Sequence, residues 1–132
     1  MSIALDTSVV VRLVTGRPEH QAATARTLLE RLERIGATAL ISDVVVAEAF
    51  FALRHHYRIP DTLALEQLAL VFDDPAVVGE SAPAVLAGLP SASEPGFVDR
   101  LILQHARDRR HGLLTFDRAL AALPGADRLD AV

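Results

Sequence analysis

Solid apolar runs alternate along the chain with longer stretches of mixed pattern. Ile3-Ala4-Leu5 is a short apolar run ending at Asp6, and it reads as a strand. Thr7 and Ser8 can cap a helix reaching Val14, and Gly16-Arg17-Pro18 breaks it. From Glu19 to Ile35, small or apolar residues recur at helical spacing: Ala22, Ala25, Leu28, Leu29, Leu32 and Ile35. Arg26, Glu30, Glu33 and Arg34 cover the wet face, and Gly36 suits the position after the helix. Ala37–Ile41 reads as a second strand. Ser42 or Asp43 then caps a helix to about Tyr57, ended by Pro60.

Asp61 or Thr62 opens another helix through Leu63, Leu65, Leu68, Leu70 and Val71, broken by Asp73-Asp74-Pro75. Ala76–Val78 is a brief strand candidate. Ser81 starts a short helix through Val85, Leu86 and Leu89. Residues 88–96, rich in Gly, Pro and Ser, form a loop. Phe97–Arg109 is a helix, Gly112–Phe116 a strand, Arg118–Leu123 a short helix, and Arg128–Val132 a last edge strand. Short apolar strands alternating with helices imply an α/β fold with a parallel sheet covered on both faces. Between residues 43 and 72 no strand separates two helices, so an αα-hairpin is expected there. No repeat or linker divides the chain, so residues 1–132 form a single domain.

Composition narrows the chemistry. The chain has 132 residues, 51% of them hydrophobic, which is enough for a real core. A net charge of −4 gives no global basic signature, so a nucleic-acid ligand needs local basic contacts or a metal. All 13 basic residues are arginine, whose fork suits phosphate oxygens, although a GC-rich genome explains the bias as well. The absence of cysteine excludes disulfides, thiolate catalysis and cysteine-ligated zinc. The start lacks the basic region of a signal peptide, and no apolar run reaches the ~20 residues of a membrane helix. A soluble, cytoplasmic protein with no membrane association is expected.

Carboxylates interrupt or close four of the apolar runs: Asp6, Glu48, Asp99 and Asp117. Burying an ionised carboxylate costs several kcal/mol or more unless it is paired or binds a metal. Asp6 and Asp117 each follow a strand, on the edge where parallel sheets bind ligands. Glu48 lies about two turns into its helix, and Asp99 lies in the first turn of its own. If they converge, a divalent cation is the natural counter-charge, and magnesium or manganese favours such oxygen ligands. An ion of that kind suits phosphodiester hydrolysis. Thr7, Ser8 and Thr115 place hydroxyls beside the acids. Each acid also has a bland reading. Asp6 and Asp117 can be helix caps, and Asp99 can be an acid favoured by the helix dipole. Glu48 is hardest to explain that way, because a helix apolar all round is expected to be buried.

Leu5-Asp6-Thr7-Ser8, Val46-Ala47-Glu48, Phe97-Val98-Asp99-Arg100-Leu101-Ile102 and Leu114-Thr115-Phe116-Asp117 together resemble PIN-domain proteins. The likeness is greatest to the VapC-type toxins of bacterial toxin–antitoxin pairs. Motif order and spacing fit across nearly the whole length. The resemblance implies a three-layer α/β/α sandwich with a central parallel sheet and a Mg2+- or Mn2+-dependent ribonuclease that acts on RNA as a homodimer. It also implies a cognate antitoxin whose tail occupies a groove. Asp6, Glu48, Asp99 and Asp117 match the acidic catalytic and metal positions, and Thr7, Ser8 and Thr115 match polar positions beside them. Arg100 departs from the family, which usually has a small or apolar residue there. It can contact phosphate or pair with an acid.

Two other readings compete. A PIN-like binding module with impaired catalysis predicts a missing acid, whereas all four are present. A phosphoacceptor domain relies on a lysine that this chain lacks. His55 and His56 are adjacent, so they make no metal pair on a helix and are expected at the surface. Arg107-Asp108-Arg109-Arg110, flanked by His105 and His111, reads as a solvated helix end that can also touch RNA. Glu94 is expected to be an exposed loop acid. One tyrosine and no tryptophan make base stacking a poor main recognition mode. The helices over 43–57 and 61–72 carry more apolar surface than a small core requires, which suits a dimer or partner interface.

Overall fold

A computed structural model describes residues 1–89 and 94–131. The centre of the expected 88–96 loop and Val132 lie outside the described residues. In chain order the elements are β1 (Ser2–Ala4), α1 (Thr7–Thr15), α2 (Glu19–Arg34), β2 (Thr38–Ile41) and α3 (Asp43–Phe51). Then come α4 (Asp61–Val71), β3 (Val77–Gly79), α5 (Ala82–Gly88), α6 (Phe97–Asp108), β4 (Leu113–Thr115), α7 (Arg118–Ala121) and β5 (Ala126–Arg128). The alternation expected from the sequence is present, and every strand pair is parallel. The chain therefore has the α/β architecture read from its pattern. No helix is long and apolar enough to cross a membrane among the described residues.

The strands form two hydrogen-bonded groups, β1-β2-β3 and β4-β5. The register pairs Ala4 with Leu40 and Leu113 with Ala126. The last strand is Ala126–Arg128, not Arg128–Val132. Gly125, at φ +93°, turns the chain directly into pairing with β4, and its carbonyl accepts from Leu113 N–H at 3.0 Å. A 3-10 turn over Leu129–Ala131 follows.

The main core gathers Val10, Ile41, Val46, Leu53 and Leu68, all fully buried, from β2, helices α1, α3 and α4, and the turn that follows α3. Each such side chain contributes about 1.5–3 kcal/mol by leaving water. A second small cluster of Leu103, Leu120 and Ala126 sits under β4 and β5. Helix α6 bridges the two, with Phe97 and Leu101 in the first and Leu103 in the second. Edge-on contact of Phe97 with Phe50, at 5.2 Å between ring centres, docks the start of α6 on α3.

Helix α3 runs straight into a wider π-helical turn at Ala52–His56. Its inward face is Val46, Ala49 and Phe50, continued by Leu53. Val44, Glu48 and Phe51, three or four residues apart, form the outward face. Glu48 is therefore exposed, although the run around it is apolar. A helix packed on one side keeps an outer stripe whatever its composition.

Candidate metal centre

The chain is still in the sheet at Leu5, which is buried and donates N–H to Leu40 O at 2.9 Å. Asp6 emerges next, at the carboxyl end of β1, and caps α1. Its Oδ1 accepts from Ser8 N–H at 3.0 Å, Ser8 Oγ at 2.6 Å and Val9 N–H at 3.4 Å. Its Oδ2 takes no hydrogen bond from the described residues. The Ser8 hydroxyl first, then the Val9 amide, holds the Asp6 carboxyl below its ordinary pKa. The bland reading of Asp6 as a cap is thus correct, and it uses only one oxygen.

Glu48 makes no hydrogen bond or ion pair among the described residues. It faces Asp6 across a groove of about 610 Å3 between the start of α1 and α3. Thr7 and Ser8 line the same groove, as do Arg12, His56 and Tyr57. The π-helical turn delivers the last two. His56 is exposed, as expected of it, and its surface position is on the wall of this groove. His55 does lie outside, stacked on Phe51 with ring centres 6.0 Å apart.

Asp99 and Asp117 do not line this groove. Asp99 is half-buried in the first turn of α6, the turn that docks on α3 through Phe97 and Phe50. Asp117 caps α7 by accepting Leu120 N–H at 2.8 Å on Oδ1. Thr115 Oγ1 accepts Asp117 N–H at 3.0 Å and so shapes the turn after β4. Since β4 bonds to β5 rather than to β1, no shared ladder holds Asp117 beside Asp6. No group of three or more His, Asp or Glu side chains able to hold a metal occurs among the described residues. Arg100 turns back toward the loop, donating Nε–H to Pro95 O at 2.8 Å, and lines a different groove with Leu103 and Arg107.

The buried acid is one that sequence reasoning passed over. Asp43 is 4% exposed. Its Oδ1 accepts Ser81 N–H at 3.0 Å and Ala82 N–H at 2.9 Å, and its Oδ2 lies 2.7 Å from His105 Nδ1. The same ring nitrogen lies 2.9 Å from Arg109 Nη1. Asp43 N–H donates to Glu80 Oε1 at 2.8 Å, and Glu80 Oε2 pairs with Arg109 at 3.2 Å. Ser81 Oγ donates to Asp108 at 2.5 Å, and Gln104 adds a bond at 2.7 Å. These two donors, Ser81 first, hold the Asp108 carboxyl below its ordinary pKa. The cluster ties the starts of α3 and α5 to the end of α6. His105 and Arg109, expected at a solvated helix end, belong to it. Two adjacent candidates for one cap, Ser42 and Asp43, were the available signal: Ser42 takes the cap, so Asp43 is free to point inward.

Asp6 and Glu48 offer hard oxygen donors to one groove, with unused lone pairs on both. That set fits Mg2+ or Mn2+, which bind through one or two carboxylates and retain waters. A parallel α/β domain with an acidic groove at a strand's carboxyl end is the class these features define. A family model for the PIN domain matches residues 3–126, and the chain belongs to the PIN domain family. The PIN domain is generally a nuclease fold, and its members typically use divalent metals. A comparison with curated proteins returns no match.

Proposed function

We propose that the protein is a metal-dependent endoribonuclease that hydrolyses RNA phosphodiester bonds. The observation that carries this reading is the pairing of Asp6 and Glu48 across one groove, each with carboxylate oxygen that no described residue occupies. Asp6 and Glu48 would hold Mg2+ or Mn2+; Asp99 and Asp117 do not line that groove and enter the proposed acidic set only through the motif resemblance. Held there, a divalent ion would supply charge neutralisation at a phosphodiester and would lower the pKa of water. Ser8 keeps Asp6 ionised and fixes its rotamer. Thr7 orients substrate or water from the same wall, and Thr115 acts similarly beside Asp117. The test is cleavage of mixed cellular RNA by purified protein with Mg2+, Mn2+ or EDTA, beside Asp6→Asn. Metal-dependent cutting lost in the variant supports the reading; cutting retained by Asp6→Asn would sink it.

The finer role we propose is the toxin of a type II toxin–antitoxin pair, restrained by a cognate antitoxin. Its support is the VapC-like order of the acidic motifs. Induced expression should arrest bacterial growth, and normal growth with a cleaving protein would contradict the role. We also propose a homodimer through the end of α3 and the outer face of α4, where Phe51, Leu63 and Leu70 are exposed and do not line the acidic groove. Light scattering should report a dimer that Phe51→Glu dissociates; a monomeric parent would contradict it. The binding-module reading gains one observation, the separation of Asp99 and Asp117 from the groove, and the same cleavage assay decides against or for it.

A further inference from the structure

The groove that holds Asp6 and Glu48 continues into another. Ser8 and Arg12 also line a larger groove of about 830 Å3 between α1 and α2. Its α2 wall carries His20, Thr24, Thr27 and Arg31. Steps of four, three and four residues make these one stripe along the helix. At ~1.5 Å rise per residue the stripe is about 16 Å long. Basic groups enter from both walls, Arg12 from α1 and Arg31 from α2, and no carboxylate lines this groove. That is notable in a chain of net charge −4.

Arg12 is held in place. Its Nε–H donates to Gln21 Oε1 at 2.8 Å and its Nη1 donates to Ser8 O at 3.4 Å. Its Nη2 has no partner among the described residues, and the Arg31 guanidinium has none either. Arginine presents its free N–H groups to phosphate oxygens as a fork. No Phe, Tyr or Trp lines the groove, so the His20 ring is the one aromatic surface it offers to a base.

We propose that this groove is a binding site for the phosphodiester backbone of RNA, continuous with the cleavage groove through Ser8 and Arg12. Arg12 and Arg31 hold phosphates of the strand as it leaves the acidic pair. The site rests on the ribonuclease reading for its choice of ligand. It reads charge and not base identity, so it adds affinity across sequences and makes binding salt-dependent.

The test is fluorescence anisotropy with labelled single-stranded RNA of about 12 nucleotides, a length within known single-strand site sizes. The whole chain is used, in EDTA so that no cleavage intervenes, over a series of salt concentrations. Arg31→Ala should weaken binding about fivefold and lower the slope of log K against log salt by about 0.7, one phosphate contact. Arg31→Lys should recover most of the affinity. Arg34→Ala, on the same helix but outside the groove, should bind as the parent does. Parental affinity and slope in Arg31→Ala would overturn the proposal, as would an equal loss in Arg34→Ala. Cleavage by the parent in Mg2+ is run alongside. Cleavage without an Arg31 effect removes this groove alone. An Arg31 effect without cleavage supports the groove and removes the nuclease reading instead.

Discussion

Asp6 and Asp43 each stand two residues beyond the end of a parallel strand, and those strands are neighbours. Their fates are opposite. The register that pairs Ala4 with Leu40 sets Asp6 level with Ser42, and both of these are helix caps. Asp6 as a cap keeps one oxygen idle at the surface. Asp43, one residue past its cap, turns inward and has both oxygens engaged. Burial alone therefore does not mark a functional carboxylate. An acid whose donors are complete holds elements together, and an acid with unused lone pairs beside a groove is free to bind something.

Substitutions can break this contrast from either side. The largest effect is expected on cleavage: Asp6→Asn or Glu48→Gln should lower the rate by about 100-fold or more, beyond the roughly 10–100-fold that losing a residue behind a metal ligand costs, with the melting temperature nearly unchanged. Asp43→Ala should do the reverse. It strands two buried N–H groups and the His105 ring, costing about 2–4 kcal/mol, and should lower the melting temperature by about 10 °C. Cleavage by the fraction still folded should persist. A stable Asp43→Ala protein would show that the cluster does not hold α3, α5 and α6 together.

Gly79, the last residue of β3, lets Pro83 of α5 and Phe72 pack directly against its backbone. A Cβ there would lie 2.5 Å from Pro83 Cγ and 2.6 Å from Phe72. Gly79→Ala should destabilise by about 1–3 kcal/mol in urea unfolding, and no change would mean the turn relaxes freely. The smallest expected effect is a pH dependence. Ser81 lowers the Asp108 pKa in the folded state, so its contribution is present above the ordinary aspartate value and is lost as pH falls through the lowered one. The stability gap between parent and Ser81→Ala should accordingly narrow below about pH 4. A gap that is constant with pH would assign the loss to the buried hydroxyl alone.

Element order was legible because hydrophobic period, caps and Gly or Pro breaks agreed along most of the chain. The end of the chain was less so. Ala126–Arg128 has only one apolar residue, and pairing with β4, which no local pattern encodes, makes it a strand. The acids Asp6 and Glu48 were legible as interruptions of apolar runs. Glu48's exposure was not, because composition does not say which side of a helix packs. Asp43 itself bonds to residues 37 to 62 positions away in sequence, beyond any spacing rule. The π-helical turn that moves His56 and Tyr57 into the acidic groove left no signal we could read.

Calorimetric titration with Mn2+ tests the central contrast most directly, on the parent, Asp6→Asn, Glu48→Gln and Asp43→Asn. Binding by the parent and by folded Asp43→Asn, lost in the other two, is the predicted result. Parental binding in Asp6→Asn and Glu48→Gln, or loss of binding in a folded Asp43→Asn, would contradict it.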